Sequence, residues 1–576
     1  MKKIFAVIIA VVMLVSLVSC KKETKKDLSW LDQFEKVTDS SRPSWEFDKE
    51  DYDLEWFIDA SWMVWPTNGS DMVSRIIYEK TGCKIKFRVA SDESGTELST
   101  IISTPDDLPD VLTVKASSLY TSQLPQQDYV WAIDDLMERF APSMISRYKE
   151  EQVDVYEWFK QEGKLYGIPN LSYSDYYIGD SKLSPNGAIL VREDWYKEVV
   201  EQTGEDMTTK ESFLKGVEYI TDKYDNSIGV QLDPFTSTGN LSVIWLSQYF
   251  AVPYENVDGT YNYQITDDRY KEVISFLNTL SINGYINDAN FSANTAAVNT
   301  NIARGNVFVS FATPQNYNNA FASLHSKGID YVPLILRNDA GDAPVLQDLR
   351  GKGYMFSLIT KNCERPDKVI KLFDFLTSEE GQLLINFGVE GDTFTLNKDT
   401  GKVEWTEKFI NDYENNNTAQ YGFGYCNALL NQSFYDKVAP LGKQCKTEAS
   451  MYTSDLKTPL KPYSYDYTPS FLLYDTTRKD YFEFVEKQTN VNNIWGIYLP
   501  KMISAKSNEE ALQMYVNTIK SMKNNGLEFV ISFMTEGYEN SKAACGVTNG
   551  WPAYQSGYVA PITGANGDTS YYQYKD

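Results

Sequence analysis

Twice along this chain, short apolar runs alternate with stretches in which apolar residues return every three or four positions. No other feature restricts the fold as strongly. In the first block, Asp53-Leu54-Glu55-Trp56-Phe57-Ile58 is a strand candidate. Ser70 is the expected N-cap of a helix carrying Met72, Val73, Ile76 and Ile77, and Gly82 stops it. Residues 83–89 alternate, with Ile85, Phe87 and Val89 on one face, and residues 110–114 form another short apolar strand. In the second block, Ile189-Leu190-Val191 runs into Arg192-Glu193-Asp194-Trp195. Thr209 caps a helix with Phe213, Val217 and Ile220 on one side; Ile274, Leu277 and Leu280 mark another, ending near Gly284, and residues 307–311 are strand-like. Residues 369–384 read as one long helix with Ile370, Phe373, Leu376 and Leu383 as its stripe. Strands alternating with helices build βαβ units, so the expected class is α/β with mostly parallel sheets. Residues 412–480, rich in Asn, Tyr, Ser and Thr, read as long loops or an elaborated lobe. At 576 residues and 42% hydrophobic content, two or three domains with sizeable cores are affordable.

The N-terminus carries a second message. Lys2 and Lys3 precede an apolar run over residues 4–18, too short for a helix that must cross about 20 residues of hydrocarbon, so residues 1–19 read as a secretory signal. Leu17-Val18-Ser19-Cys20 resembles the bacterial lipobox, which implies a diacylglyceryl group on Cys20 and a mature chain held at the extracellular face of the cell membrane. Residues 20–50, with Lys21, Lys22, Lys25 and Lys26 next to the lipid, read as the anchored linker. The formal charge of −25 becomes −27 once Lys2 and Lys3 are removed, a surface that repels phosphate, so no nucleic acid partner is expected. Five scattered cysteines besides Cys20 make no disulfide or zinc framework, and a single histidine, His325, disfavours Ser-His-Asp chemistry and multi-histidine metal sites.

Six phrases in order resemble one family, the extracellular solute-binding lipoproteins (family 1 type) of carbohydrate ABC transporters. They are Val130-Trp131-Ala132-Ile133-Asp134-Asp135-Leu136 followed by Ala141-Pro142; Gly163-Lys164-Leu165-Tyr166-Gly167-Ile168-Pro169; and Val191-Arg192-Glu193-Asp194-Trp195. Then come Asp258-Gly259-Thr260-Tyr261 through Asn283-Gly284-Tyr285-Ile286-Asn287-Asp288, Ala303-Arg304-Gly305-Asn306-Val307, and residues 367–391 with Phe375-Leu376-Thr377-Ser378-Glu379-Glu380-Gly381. The resemblance implies a two-lobe, periplasmic-binding-protein-like (type II) fold with a hinge and an interlobe cleft. Lobe 1 would hold residues 51–168 and 332–395, lobe 2 residues 169–331 and 396–576, with crossings at residues 166–169 and 331–333. It also implies a monomer that captures an oligosaccharide, delivers it to permease subunits and changes no bond. Some relatives carry a calcium loop after the first helix of the second lobe. Residues 222–229 lack its ligand spacing, so no metal and no cofactor are expected.

Sugar recognition pairs aromatic rings, which stack on C–H faces, with amides, carboxylates and Arg, which reach hydroxyls. In open α/β sheets such residues belong in loops beyond the carboxyl ends of strands. Trp62, Trp65 and Asn68 follow the first strand; Asp175, Tyr176 and Tyr177 follow the first crossing; Asn240 and Trp245 follow a Thr-Gly turn, Trp245 within an apolar stretch that also suits a core. Gln315, Asn316 and Tyr317 follow the strand ending at Phe311. Arg350 and Tyr354 flank Gly351 and Gly353, and Trp551 near the C-terminus either lids the cleft or docks the tail. With Arg350 the only cation in these loops, a neutral sugar is favoured over an acidic one. A secreted glycosidase or lyase, whose two carboxylates could stand anywhere among 79 acidic residues, remains the alternative, as does a non-sugar ligand on the same fold.

Overall fold

The computed structural model describes residues 28–561 except 62, 64–68, 92–94, 180, 425, 442–444 and 446–453. In chain order its strands are β1 (Tyr52–Ile58), β2 (Cys83–Val89), β3 (Val111–Lys115), β4 (Gly167–Pro169), β5 (Leu190–Arg192), β6 (Ile228–Gln231), β7 (Val307–Ser310), β8 (Tyr331–Pro333), β9 (Leu346–Gln347), β10 (Met355–Ile359), β11 (Phe394–Leu396), β12 (Val403–Trp405) and β13 (Ser464–Tyr465). They form two α/β lobes. The first sheet has the order β2-β1-β3-β10-β4, the second β6-β7-β5-β8. Each is mostly parallel with one reversed strand, β10 in the first and β5 in the second.

The first core is built on β1, where Trp56, Phe57 and Ile58 are wholly buried. Trp56 satisfies its indole N–H on Thr113 Oγ1 at 2.7 Å, and Thr113 in turn meets Ser357 Oγ at 2.8 Å. The helix Pro366–Thr377 lies across this sheet with residues 366–376 all buried. The stripe expected over 369–384 is two helices, Pro366–Thr377 and Glu379–Phe387. Ser378 breaks it by taking an extended conformation and accepting the Gly381 N–H at 3.1 Å. The helix after β1 is capped by Asp71 rather than Ser70, because the Asp71 carboxylate accepts both the N–H and the hydroxyl of Ser74 at 2.8 Å. Gly82 closes that helix with φ 72°, where a Cβ would meet Glu50 O at 2.2 Å.

Three domain expectations need correction. Residues 31–48 do not behave as linker: Leu31 and Trp45 are buried in the first core, Trp30 stacks on Trp131 at 5.7 Å, and Asp48 pairs with Lys368 at 2.8 Å. Residues 334–346 belong with the second lobe, since Leu334, Ile335, Leu336, Ala343 and Leu346 join its core. Residues after 396 return to the first lobe before crossing. Cys426, Ala428 and Leu429 sit in the first core, and Leu430 O accepts the Leu171 N–H at 2.7 Å. Aperiodic apolar residues bind these segments down, and such contacts leave no helical or strand period in the sequence.

The C-terminal helices Tyr481–Ile503, Asn508–Asn524 and Leu527–Cys545 pack on the second lobe. Phe484 and Phe533 stack at 4.2 Å, and Asn278 donates to the carbonyls of Ile503 and Ala505 at 3.0 and 2.8 Å. Between the lobes, β9 pairs with β13 and Asp348 bridges to Pro185, so three passes of chain lie side by side. The expected crossing at 166–169 is the strand β4, from which one pass departs; the one expected at 331–333 is β8 of the second sheet, and the chain leaves that lobe only after Leu346, along β9 toward β10. Among the described residues the five cysteines form no disulfide; Cys83, Cys363 and Cys426 are buried.

Candidate binding cleft

In the first sheet β1, β2, β3 and β4 share a direction, and in the second β6, β7 and β8 do. Their carboxyl ends define the edges where an open α/β sheet takes a ligand. On the first lobe this edge holds Asp59 and Ser61 after β1, Ser117 after β3, Asn170 after β4, and Tyr354 at the entrance of the reversed β10. On the second it holds Asp233 after β6, residues 311–317 after β7, and Asn186 and Gly187 ahead of the reversed β5.

The second-lobe edge is a connected polar cluster. The buried Asp233 carboxylate accepts the Thr313 N–H at 2.9 Å, the Thr313 hydroxyl at 2.6 Å and the Tyr317 hydroxyl at 3.1 Å. Burial pushes its carboxyl above the ordinary range even against these hydrogen bonds. Trp245 donates its indole N–H to Thr313 Oγ1 at 2.9 Å. Its ring lies so close to Gly187 that a Cβ there would fall 2.1 Å from Cδ2. Gln315 donates to Asn186 Oδ1 at 2.7 Å and accepts from Lys457 Nζ at 3.2 Å. Asn316 is exposed on the same turn.

The first-lobe edge is more open. Tyr354 is 46% exposed, while its backbone is fixed by Asn170 O and Ala116 N at 3.0 and 2.8 Å. The loop after β1 is tied at both ends, by Met63 N–H to Ala60 O and by Gly69 N–H to Ser74 Oγ, each at 3.1 Å. Trp62, Trp65 and Asn68, expected to stack and bind there, lie outside the described residues.

No family model matches the chain, and no curated protein does. Solved structures do. The ABC-transporter substrate-binding protein FusA of S. pneumoniae, in complex with kestose, superposes with a TM-score of 0.64 at 16% identity, covering 85% of this chain and 100% of that one. The alginate-binding protein AlgQ2 without calcium ion gives 0.63 at 17%, covering 86% and 100%. A solute-binding protein from Bifidobacterium longum infantis, associated with an ABC transporter that binds HMO, gives 0.62 at 15%, covering 85% and 99%. This chain has the two-lobe fold of ABC-transporter solute-binding proteins.

Within that solute-binding fold the sequence-chosen residues divide. Gln315, Asn316 and Tyr354 stand at the carboxyl-end edges of the two sheets. Tyr317 and Trp245 stand there too but are buried, so they hold the wall rather than offer a ring face. Asn240 is an N-cap: its Oδ1 accepts the Val243 N–H at 3.3 Å and its Nδ2 donates to Asp233 O at 2.7 Å. Arg350 is committed to the hinge, reaching Asp348 at 2.8 Å and Asp466 at 3.3 Å, while burial pushes the Asp348 carboxyl up to about 6. Asp175, Tyr176 and Tyr177 form a one-turn helix against the helices Pro142–Glu151 and Gln432–Val438. There Tyr177 donates to Glu151 at 2.6 Å and Lys352 reaches Asp175 at 3.6 Å. Tyr176 is exposed beside Lys437. Trp551 is no lid; it is buried against Tyr254 and Tyr467, and its backbone N–H donates to the Glu255 carboxylate at 2.8 Å. Sequence reading passed over Asp233, Thr313 and Lys457. Asp233, two residues beyond a strand and followed by Pro234, was the one with a readable signal. Among the described residues no group of His, Cys, Asp and Glu is placed to hold a metal ion.

Proposed function

We propose that this protein is an exported, lipid-anchored solute-binding protein that captures an oligosaccharide between its lobes and passes it unaltered to an ABC-transporter permease. The observation that carries the reading is the pair of carboxyl-end strand edges, one with Tyr354, the other with the Asp233–Thr313–Gln315 cluster; Trp62 and Trp65 are assigned to the first edge from their sequence position after β1. Side-chain amides and hydroxyls with a few aromatic rings suit a polyol that is bound and released. The sugar complexes of structures with this fold support the ligand class. The basic, apolar, Cys-ended leader supports export and lipidation at Cys20. Capture that must be reversible asks for a dissociation constant near micromolar, about −8 kcal/mol.

Calorimetry on the unacylated mature chain with a panel of neutral and acidic oligosaccharides, followed by chromatography of the recovered sugar, tests this. Binding with the sugar intact is the expected result; a shortened sugar would mark an enzyme and end the proposal. Replacing Trp62 and Trp65 together by Ala should weaken binding by about 2–4 kcal/mol, the range of central aromatic anchors. Unchanged affinity would remove that loop from the site.

A further inference from the structure

Among the described residues four lysines are buried: Lys368, Lys371, Lys457 and Lys542. Three have carboxylates. Lys368 meets Asp48 at 2.8 Å, Lys371 meets Asp367 at 3.7 Å and Lys542 meets Glu539 at 3.0 Å. Lys457 is 4% exposed, and its one hydrogen-bond partner among the described residues is the neutral amide oxygen of Gln315, at 3.2 Å. An ammonium offers three donors, and burying one without a counter-charge costs several kcal/mol. The structure holds this charge at the second-lobe edge of the cleft. Leu456 and Leu460 anchor its segment in the core, Gln315 lies in the turn after β7, and Gln315 passes the contact on to Asn186 ahead of β5. Asp233, on the same edge, spends its carboxylate on Thr313 and Tyr317, and Arg350 is taken by Asp348 and Asp466.

We propose, resting on the capture reading above, that the Lys457 ammonium pairs with a carboxylate of the incoming sugar, so that the ligand class is an acidic oligosaccharide. A hydroxyl would leave the buried charge uncompensated; a carboxylate compensates it with a charge-assisted hydrogen bond, roughly twice as strong as a neutral one. The negative net charge of the chain opposes such a ligand only at long range, where a Debye length of about 8 Å at physiological salt screens it. This reverses the preference for a neutral sugar drawn from the loops alone.

The pairing has a pH signature. Desolvation alone pulls Lys457 down to about 8; no charge on the β5, β7 or hinge segments contributes, and among the described residues the group facing it is the amide of Gln315, itself bonded to Asn186. A bound carboxylate favours the protonated form and raises that value. Affinity is therefore full below about pH 8 and falls as the pH climbs through it.

The test uses the chain without its signal and lipid-bearing cysteine, residues 21–576, and three matched pairs at 0.15 M salt: galactotriose and trigalacturonate, mannotriose and trimannuronate, lactose and sialyllactose. The expected result is that at pH 7 one acidic member binds at least about ten-fold tighter than its neutral counterpart, the step that one such ion pair supplies. Lys457→Met should bring the ratio to about one, and raising the wild type to pH 9 should bring it from ten-fold to about two-fold. Removing an uncompensated charge should leave the melting temperature equal or higher. If neutral sugars bind and Lys457→Met leaves them and the ratio untouched, capture stands and this inference falls. If none of the six binds, both fall. A lowered melting temperature with an unaltered ratio would assign the charge to the fold and overturn the inference.

Discussion

At the scale of single residues, Gly187 and Trp245 show how the cleft wall is set. A glycine ahead of β5 is unremarkable in sequence, yet here its missing Cβ is the space the indole occupies. That packing, with the Thr313 hydrogen bond, fixes Trp245 as wall rather than ligand platform. Gly187→Ala should therefore cost about 1–3 kcal/mol by overpacking. Trp245→Ala should cost about 3–5 kcal/mol through the cavity it leaves. In the double variant the added methyl no longer has a ring to strike, so urea midpoints should show a loss well short of the sum. Strict additivity would mean the two side chains do not share this space. Trp551 illustrates the same difficulty. Two of its partners, Tyr254 and Tyr467, come from segments nearly 300 and 84 positions away, and nothing local in the sequence announces that they meet.

Elements were more legible than side chains, for reasons the caps make plain. Asn240 in Thr238-Gly239-Asn240-Leu241 is a helix start by its chemistry, and the helix Leu241–Tyr249 begins on it. Asn240→Ala should lower stability by about 1–2 kcal/mol, read as a lower urea midpoint at constant slope. Asn240→Asp, which keeps the acceptor and loses the donor to Asp233 O, should fall between. Equal stability in all three would deny the cap. Where a period persists over one buried face it gave the elements: β1, β2, β3 and β7 are close to their expected ranges, as are the helices Met72–Thr81, Lys210–Lys223 and Tyr270–Ile282. Order along the chain likewise gave the two lobes. The helices Tyr481–Ile503, Asn508–Asn524 and Leu527–Cys545 escaped, since apolar residues on several faces blur any single stripe. For the candidate site, position along the chain was legible and partners were not. Loops after strands are readable from order alone, and the structure places the expected Gln315, Asn316 and Tyr354 at strand ends. Lys457 was not readable, because its significance lies in burial beside a neutral amide, with no carboxylate against it among the described residues.

At the scale of the molecule, two cores are joined by three passes of chain, and the passes are themselves cross-linked by the β9–β13 pair and by Arg350 between Asp348 and Asp466. Such a hinge permits rotation of the lobes while resisting their separation. Away from it the lobes also touch. Leu119, which follows β3 of the first lobe, packs against the second core, and Gln126 donates to Thr476 O at 2.9 Å. Where the ligand-bound arrangement keeps these contacts, they add to the apparent affinity. Leu119→Asp places a charge in that contact. If it removes about 1.4 kcal/mol of closure, the Kd rises about ten-fold. The free protein should then scatter with a larger radius of gyration, while the saturated protein returns to the wild-type value, since ligand can still draw the lobes together. An unchanged radius with an unchanged Kd would show that the lobes act as one rigid body, and the cleft would then have to bind without closing.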